Sequence, residues 1–301
     1  MTRRSSTILR GLACLVLVSC AADSESASHV HGDVESASVM GVPVAVHTGP
    51  QGDVGQFVAE GDFSHAAPID PIVFPGRDGA SHLHDFFGSR AVDASSTGAT
   101  LVGTDTSCDL AADSASYWSP AVFVDGEKID PVVATAYYRA AVGVDGSTVV
   151  AFPVGLMMIA GDQSASGPQP ETVLGWSCGG SSRRTSELPT CASDTPLRLE
   201  ITFPDCWNGV DLDTPGHRRH VHYSRNGKCP AGHPVSIPQL TFAVTYPLSG
   251  EIENLRLASG EPHTAHADFV NGWDPERLAT EVELCINRDV VCGISDGRLE
   301  G

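Results

Sequence analysis

The stretch Leu240-Thr241-Phe242-Ala243-Val244-Thr245-Tyr246 is rich in β-branched and aromatic residues, a composition that favours a β-strand. Similar short runs recur between clusters of Gly, Pro, Asp and Ser, and no helical periodicity persists for more than a few turns. These runs cover residues 120–124, 132–139, 148–152 and 197–203. The pattern predicts a chain built almost entirely from strands, with helix only at 275–282 and a turn near Leu110.

Turn signals agree with this prediction. The dipeptides Asp125-Gly126, Asp145-Gly146 and Asn226-Gly227 lie between or beside the strand-like runs, as tight hairpins require. The chain also contains 31 Gly and 20 Pro, which fits many tight turns. We therefore predict one all-β domain over residues 42–301, a single sandwich or jelly-roll-like fold with long loops and disulfides.

The N-terminus indicates export. Arg3 and Arg4 precede an apolar run over 12–18, and the run ends in Leu17-Val18-Ser19-Cys20. A basic start, a short apolar run and small residues before the cut are typical of a secretory signal peptide, predicted over 1–19. The ending also resembles the bacterial lipobox, which implies a mature chain anchored to the membrane through a lipid on Cys20. The alternative is an ordinary signal peptide in which Cys20 is incidental.

Residues 20–41 are rich in Ala, Ser, Asp and Glu and contain no aromatic residue, so we predict an acidic tether there. The predicted location is the cell envelope, and the outer membrane if the cell has two membranes, because Ala21 rather than Asp follows the cysteine. The whole sequence has 18 basic and 37 acidic side chains and a formal net charge of −19. This balance makes nucleic acid a poor partner, because nucleic-acid binding relies on Lys and Arg.

Cysteine usage also favours an oxidising compartment. Seven cysteines follow Cys20, and pairing neighbours in sequence gives Cys178–Cys191, Cys206–Cys229 and Cys285–Cys292, with Cys108 left over. The sequence by itself does not fix this connectivity. Each such disulfide would stabilise the fold by roughly 2–4 kcal/mol in the loop-entropy model.

Three motifs concentrate imidazoles and carboxylates. They are His82-Leu83-His84, His217-Arg218-Arg219-His220-Val221-His222 and His266-Ala267-Asp268. Each places two such groups two residues apart, and on a β-strand residues with that spacing share a face about 7 Å apart. A fold that brings the motifs together would form one polar cluster, which is the candidate site.

Further motifs carry a resemblance. They include Asp70-Pro71-Ile72-Val73, Tyr117-Trp118-Ser119-Pro120, Phe203-Pro204-Asp205-Cys206-Trp207-Asn208-Gly209 and His233-Pro234-Val235, and they run in order between Phe57 and Cys292. In these motifs the chain resembles a secreted family of fungal and bacterial proteins, the domain of unknown function numbered nineteen ninety-six. Its fungal members often stand beside WSC carbohydrate-binding modules. The resemblance implies glycans or cell walls as the working environment, although family alone does not give function.

The resemblance extends to single residues. The candidate catalytic residues His82, His84, His217, His220, His266 and Asp268 match the family pattern, as do Asp70, Asp213 and Asp274. His222 departs from the pattern. Many relatives have a cysteine near the position of Glu60, and its absence offers one explanation for the unpaired Cys108.

Two chemistries suit the matched residues. In the first, His84 or His266 forms an acid–base system with Asp268 in a polysaccharide hydrolase or lyase. In the second, histidines among His82, His84, His220 and His266 bind a divalent metal, and the ion polarises water or substrate. The H-x-H pair His82 and His84 is the candidate ligand pair for this cofactor. A third hypothesis is a non-catalytic module that binds polysaccharide or cell wall. For any single histidine, a purely structural role has about equal weight.

Substrate binding is assigned to six further residues: Arg218, Arg219, Trp207, Trp273, Asp213 and Asp274. The arginines would neutralise an acidic sugar, the indoles would stack on sugar faces, and the carboxylates would supply part of a glycosidase-like pair. The predicted partners are therefore extracellular polysaccharide and, through Cys20, a membrane.

Overall fold

The computed structural model describes residues 35–39, 42–46, 55–180 and 183–292. In the N-terminal half the strands are β1 (Glu35–Val39), β2 (Val42–Val46), β3 (Gln56–Asp62), β4 (His65–Ala67), β5 (His84–Gly88), β6 (Ser116–Pro120), β7 (Val122–Val124), β8 (Glu127–Ile129) and β9 (Val133–Arg139). The later strands are β10 (Met157–Gly161), β11 (Leu174–Cys178), β12 (Leu197–Thr202), β13 (Cys206–Trp207), β14 (Val221–His222), β15 (Val235–Ser236), β16 (Gln239–Tyr246), β17 (Leu255–Leu257) and β18 (His266–Val270). The helices are α1 (Gly98–Leu101) and α2 (Pro275–Glu281), with short 3-10 turns at Gly146–Thr148 and Pro262–Thr264 and a π-helical turn at Val282–Ile286.

The central sheet has the strand order β11-β12-β16-β9-β3, and all of its pairs are antiparallel. Strand β16 contains the Leu240–Tyr246 stretch and lies in the middle of this sheet. Leu240, Phe242, Val244 and Tyr246 are at most 1% exposed, as expected for alternate residues of a strand that pack into a core.

A second five-stranded sheet, which we call the site sheet, has the order β10-β18-β6-β5-β4 and is also antiparallel. Its inner face packs on the central sheet through aromatic rings. The ring of Phe242 lies 5.6 Å from Tyr117 and 5.6 Å from Phe87, and Tyr117 lies 5.1 Å from Phe269. The fold is therefore an all-β sandwich, as predicted.

The outer face of the site sheet has a smaller hydrophobic cluster of its own. Phe86, Trp118, Ile159 and Val270 project from the sheet, and the cluster is completed by Ile69, Ile72, Val92, Ala94 and Leu101. Burial on both faces explains why every residue of β5 and β18 is buried. The candidate site lies on this outer face, where polar side chains border this hydrophobic cluster.

Two three-stranded sheets, the two-stranded sheet β1-β2 and three disulfides complete the described part of the fold. The three-stranded sheets have the orders β14-β13-β15 and β17-β7-β8. The disulfides join Cys178 to Cys191, Cys206 to Cys229 and Cys285 to Cys292, which are the neighbour pairs. Cys108 is a free cysteine.

Most of the strand-like runs form strands. The runs at 132–139, 197–203 and 240–246 match β9, β12 and β16, and the run at 120–124 is divided between β6 and β7. Asp125 and Gly126 have φ values of 51° and 85° and join β7 to β8, the left-handed pair that a two-residue hairpin turn needs. Helix α2 lies within the predicted 275–282.

The prediction of a strand over 148–152 was wrong. Asp145 caps the 3-10 turn Gly146–Thr148 instead of closing a hairpin, and its Oδ1 accepts from Ser147 N at 3.0 Å. After this turn, the backbone oxygen of Val149 accepts a hydrogen bond from the side chain of Asn287, whose Nδ2 lies 2.9 Å away. Val150 N donates to Ser236 O in β15 at 3.0 Å, but the segment forms no regular strand pair.

The N-terminal predictions fall mostly outside the described residues. Residues 1–34, with the predicted signal peptide and Cys20, belong to the part that is not described. Strand β1 lies inside the predicted tether 20–41 and pairs with β2. Among the described residues, no helix combines the length and apolar character that crossing a membrane requires.

Candidate functional site

Two strand ends determine where the central histidines lie. His84 is the first residue of β5 and His266 is the first residue of β18. Both strands pair with β6, which lies between them; Pro120 is opposite His84 and Trp118 is opposite Asp268. Because β5 and β18 both run antiparallel to β6, their first residues, His84 and His266, lie at the same end of the site sheet.

His82 completes a three-histidine cluster. It precedes β5, and its ring lies 4.2 Å from the ring of His84 and 5.1 Å from that of His266. The rings of His84 and His266 are 5.7 Å apart. His84 is 0% exposed and His266 is 4% exposed, so both imidazoles are taken almost completely out of water.

Two carboxyl groups border the cluster. Asp268 follows His266 along β18, and its Oδ2 lies 4.0 Å from His266 Nε2. Neither carboxylate oxygen of Asp268 has a hydrogen-bond partner among the described residues. Asp70 approaches from the loop before β5, where its Oδ1 accepts hydrogen bonds from Ile72 N at 3.0 Å and Val73 N at 2.8 Å.

Backbone carbonyls fix the orientation of two imidazoles. His84 Nδ1 lies 2.9 Å from Ile69 O, and His266 Nδ1 lies 3.0 Å from Thr264 O. A carbonyl oxygen only accepts, so each Nδ1 carries the proton and donates it. In the neutral ring, Nε2 then has a free lone pair, and the Nε2 atoms of His82 and His84 have no hydrogen-bond partner in the described part of the chain.

Burial sets the protonation of these groups. It lowers the pKa of His84 well below its usual value, with His82 and His266 adding to the effect, and it lowers the pKa of His266 to about 4. Burial also raises the pKa of the Asp268 carboxyl well above its usual value, and Asp70 adds to that shift. The cluster therefore favours neutral imidazoles beside a neutral carboxyl group, so His266 and Asp268 do not form a charged pair.

A cavity of about 210 Å³ opens beside the cluster. Its lining includes His266 of the three-histidine cluster and the two bordering carboxyl groups, Asp70 and Asp268. Gln163, His217 and Arg218 join them from two other loops. The cavity is thus lined by a guanidinium group, by imidazoles and by carboxyl groups.

The loop after Asp213 brings the second motif to the cavity. His217 Nδ1 lies 3.0 Å and 2.9 Å from the two carboxylate oxygens of Asp213, and its φ of 58° is in the left-handed region, which is costly for a residue with a side chain. Arg218 donates to Gly161 O at 2.6 Å and Ile159 O at 3.4 Å, along the edge of β10. These contacts hold a histidine and an arginine on the cavity wall.

The structure does not bring all predicted site residues to this cavity. His220 is buried elsewhere, with Nε2 donating to Met157 O at 2.6 Å and Nδ1 3.2 Å from Thr214 Oγ1. Trp273 is 0% exposed and donates to Tyr138 OH at 3.1 Å, inside the core. The Asp274 Oδ1 caps helix α2 by accepting from Arg277 N at 2.8 Å. For these three residues the observed contacts are structural.

Trp207 and Arg219 also lie outside the cavity lining. Trp207 Nε1 donates to Asp211 O at 2.6 Å, and Arg219 is exposed, with its backbone oxygen accepting from His233 Nε2 at 2.9 Å. Two lining residues, Asp70 and Gln163, were not among the predicted site residues. The Asp70 motif was noticed for its resemblance, whereas nothing in the sequence around Gln163 indicates a site.

The cluster has the spacing of a metal site. One ligand atom from each of His82, His84 and His266 lies within 4.8 Å of the others, and the same holds for Asp70, His84 and Asp268. Two further groups of that spacing contain cysteines, but those cysteines are paired in the disulfides Cys206–Cys229 and Cys285–Cys292. They therefore offer no thiolate ligands.

Comparison with known proteins gives a family. The model of a family described as a domain of unknown function (DUF1996) matches residues 70–273, a span that contains the cluster and the whole cavity lining. The chain belongs to this family, as the resemblance of its motifs predicted. No curated protein and no solved structure matches the chain.

Proposed function

We propose that the chain is an exported, lipid-anchored enzyme that cleaves extracellular polysaccharide, as a hydrolase or a lyase, at the cavity beside the histidine cluster. One observation carries this proposal: His82, His84 and Asp268 have buried polar atoms without hydrogen-bond partners among the described residues, and all lie together. A buried polar group without a partner costs about 1–3 kcal/mol. Several such groups in one place are the arrangement expected where a ligand supplies the missing partners.

The cavity has the groups that proton transfer to and from a sugar needs. His217 donates through Nδ1 to the Asp213 carboxylate, so its Nε2 is available to accept a proton. Asp268 is held towards its protonated form and is therefore a candidate proton donor. Histidine and carboxyl side chains are common acid–base pairs in enzymes.

Arg218 favours an acidic sugar as the substrate. Two of its guanidinium N–H groups bind backbone carbonyls, which leaves further N–H groups on the cavity wall for a carboxylate. In a lyase this positive charge would stabilise the carbanion formed when the proton next to that carboxylate is removed. Support for polysaccharide as the substrate comes from the export signal in the sequence and from the carbohydrate-binding modules that accompany fungal relatives.

The test is digestion of neutral and uronic-acid polysaccharides by the purified full chain. New reducing ends would indicate hydrolysis, and ultraviolet absorbance from unsaturated sugars would indicate a lyase. We expect His217→Gln and Asp268→Asn to lower kcat about 100-fold or more, since general acid–base groups contribute 10²–10⁴.

The matched control is His263→Ala, which removes a histidine that does not line the cavity. This variant should keep wild-type activity, and circular dichroism should show that all variants are folded. Binding of a polysaccharide without any cleavage would contradict the proposal and would indicate a binding module.

A further inference from the structure

We infer that the Nε2 atoms of His82, His84 and His266 bind one divalent transition-metal ion, with the Asp268 carboxylate as a fourth ligand. The role of this ion in catalysis rests on the proposed function, whereas its binding does not. With an ion bound, Asp268 would be an ionised ligand and no longer a proton donor, and His217 would remain the acid–base residue. The ion would be the cofactor of the same site. The three imidazoles take no part in the proton transfer assigned to His217, and as ligands of the ion they would have a role.

The distances fit one ion. In a zinc site with Zn–N bonds of about 2.0–2.1 Å, neighbouring ligand atoms are roughly 3.4 Å apart. The ligand atoms of the three histidines are within 4.8 Å of one another, and His266 Nε2 is 4.0 Å from Asp268 Oδ2. Small rotations of side chains would close the remaining gaps.

The hydrogen bonds are those of metal-binding histidines. A metal-ligating imidazole usually donates its other N–H to a carbonyl or carboxylate, which fixes the ring and the tautomer. His84 does this with Ile69 O at 2.9 Å and His266 does it with Thr264 O at 3.0 Å. Both rings are thus oriented with Nε2 as the atom available for a metal.

The unpartnered atoms point to a cation in particular. The Nε2 of His84, a residue that is 0% exposed, and both oxygens of Asp268, which is 1% exposed, lack hydrogen-bond partners among the described residues. All of them can act as electron-pair donors towards a metal. One ion would therefore satisfy the set, whereas a hydrogen-bond donor would satisfy one atom at a time.

The donor set narrows the choice of metal. Imidazole nitrogen suits zinc, copper, nickel and iron, whereas calcium and magnesium prefer oxygen ligands. The cavity adjoins the cluster on the side of His266 and Asp268, so a water molecule or a substrate oxygen could complete the coordination there. An ion in that position would polarise the bound oxygen.

The test is metal loading of the purified full chain. After treatment with a chelator, the protein is incubated with Zn(II), Cu(II), Ni(II) or Fe(II), desalted and assayed by elemental analysis. We expect about one ion per chain for at least one of these metals. In His82→Ala/His84→Ala the affinity should fall at least tenfold, and His263→Ala should match the wild type.

Co(II) provides a second measurement that depends on ligand geometry. Its visible d–d bands should show imidazole ligation in the wild type and should be lost or altered in His82→Ala, Asp268→Asn and His266→Gln. His82 is only partly buried, so His82→Ala keeps the test valid if the double variant fails to fold.

Two results would overturn the inference. One is failure of the wild type to retain any of the four metals, and the other is equal retention by folded His82→Ala/His84→Ala. Metal binding without polysaccharide cleavage would support the inference and contradict the proposed function. Cleavage by metal-free protein that a chelator does not slow would support the proposed function and would contradict a catalytic role of the ion.

Discussion

Buried polar side chains in this protein have two kinds of surroundings. Around Asp113 the polar atoms have protein partners: Tyr117 OH donates to Asp113 Oδ2 at 2.7 Å, the Tyr117 and Tyr138 hydroxyls are hydrogen-bonded, and Trp273 Nε1 donates to Tyr138 OH at 3.1 Å. Around Asp268 both carboxylate oxygens lack partners within the described residues. The first network is structural, and the second is what a ligand site leaves in the free protein.

The Asp113 network makes stability depend on pH. Burial raises the pKa of Asp113 to about 7, from an ordinary value near 4. The folded state then holds a proton that the unfolded state has released, so the free energy of unfolding falls as the pH rises from about 4 to 7, by roughly 4 kcal/mol. In Asp113→Asn this part of the dependence should disappear.

The measurement is urea unfolding of both proteins between pH 4 and 8. Asp85, whose pKa burial raises to about 6, is present in both and cancels in the comparison. Parallel pH profiles for wild type and Asp113→Asn would show that Asp113 is ionised in the folded protein.

Part of the site could be predicted residue by residue. The two-residue spacing in His82-Leu83-His84 and His266-Ala267-Asp268 identified side chains that do converge. The same kind of spacing could not show that both ring nitrogens of His220 find partners within the fold. Those partners come from a distant strand and from a loop turn, and such positions depend on tertiary structure.

Strands rich in β-branched and aromatic residues were the easiest elements to predict. Strand β16 shows the expected composition and a buried alternate set, Leu240 to Tyr246. Strands β5 and β18 were recognised only as motifs, because burial on both faces removes the alternation and β5 begins with His84 and Asp85. The two strands that carry the site are therefore those with the weakest strand signal.

Strand β3 offers a position for a fourth disulfide. Gly61 and Cys108 form an antiparallel bridge, and a Cβ added to Gly61 would lie 3.3 Å from Cys108 Sγ. In a disulfide, the Cβ of one cysteine lies roughly 3 Å from the Sγ of the other. We expect Gly61→Cys to form this bond and to raise the free energy of unfolding by about 2–4 kcal/mol.

The control is Gly61→Ser, which adds a side chain of similar size without a thiol. Thiol titration of Gly61→Cys should detect no free thiol at positions 61 and 108. A reductant should remove the gain in the free energy of unfolding. Two reactive thiols after oxidation would contradict the expected bond.

The sequence has a net charge of −19, and its described residues form a sandwich core with three disulfides. Disulfides fit an oxidising compartment, which agrees with the export expected from the N-terminal sequence. A lipid on Cys20, as proposed above, would attach the β-domain to a membrane and leave it accessible to polymers outside the cell.

Replacement of the anchor cysteine tests this arrangement. When the full chain is expressed in a bacterium, Cys20→Ala should move the protein from the membrane fraction to the soluble fraction, because a lipid-modified cysteine is what would retain it. Fractionation and mass spectrometry of the N-terminal peptide check this outcome. An unmodified N-terminus in the wild type, or equal membrane retention of both proteins, would contradict it.

The three-histidine cluster and Asp268 are proposed above as a metal centre. The most direct measurement is X-ray diffraction from crystals of the zinc-loaded full chain, with data collected above and below the zinc absorption edge. The expected result is one anomalous peak within bonding distance, about 2.0–2.2 Å, of His82, His84, His266 and Asp268. A fully ordered cluster without a peak, or zinc bound only at other residues, would contradict the claim.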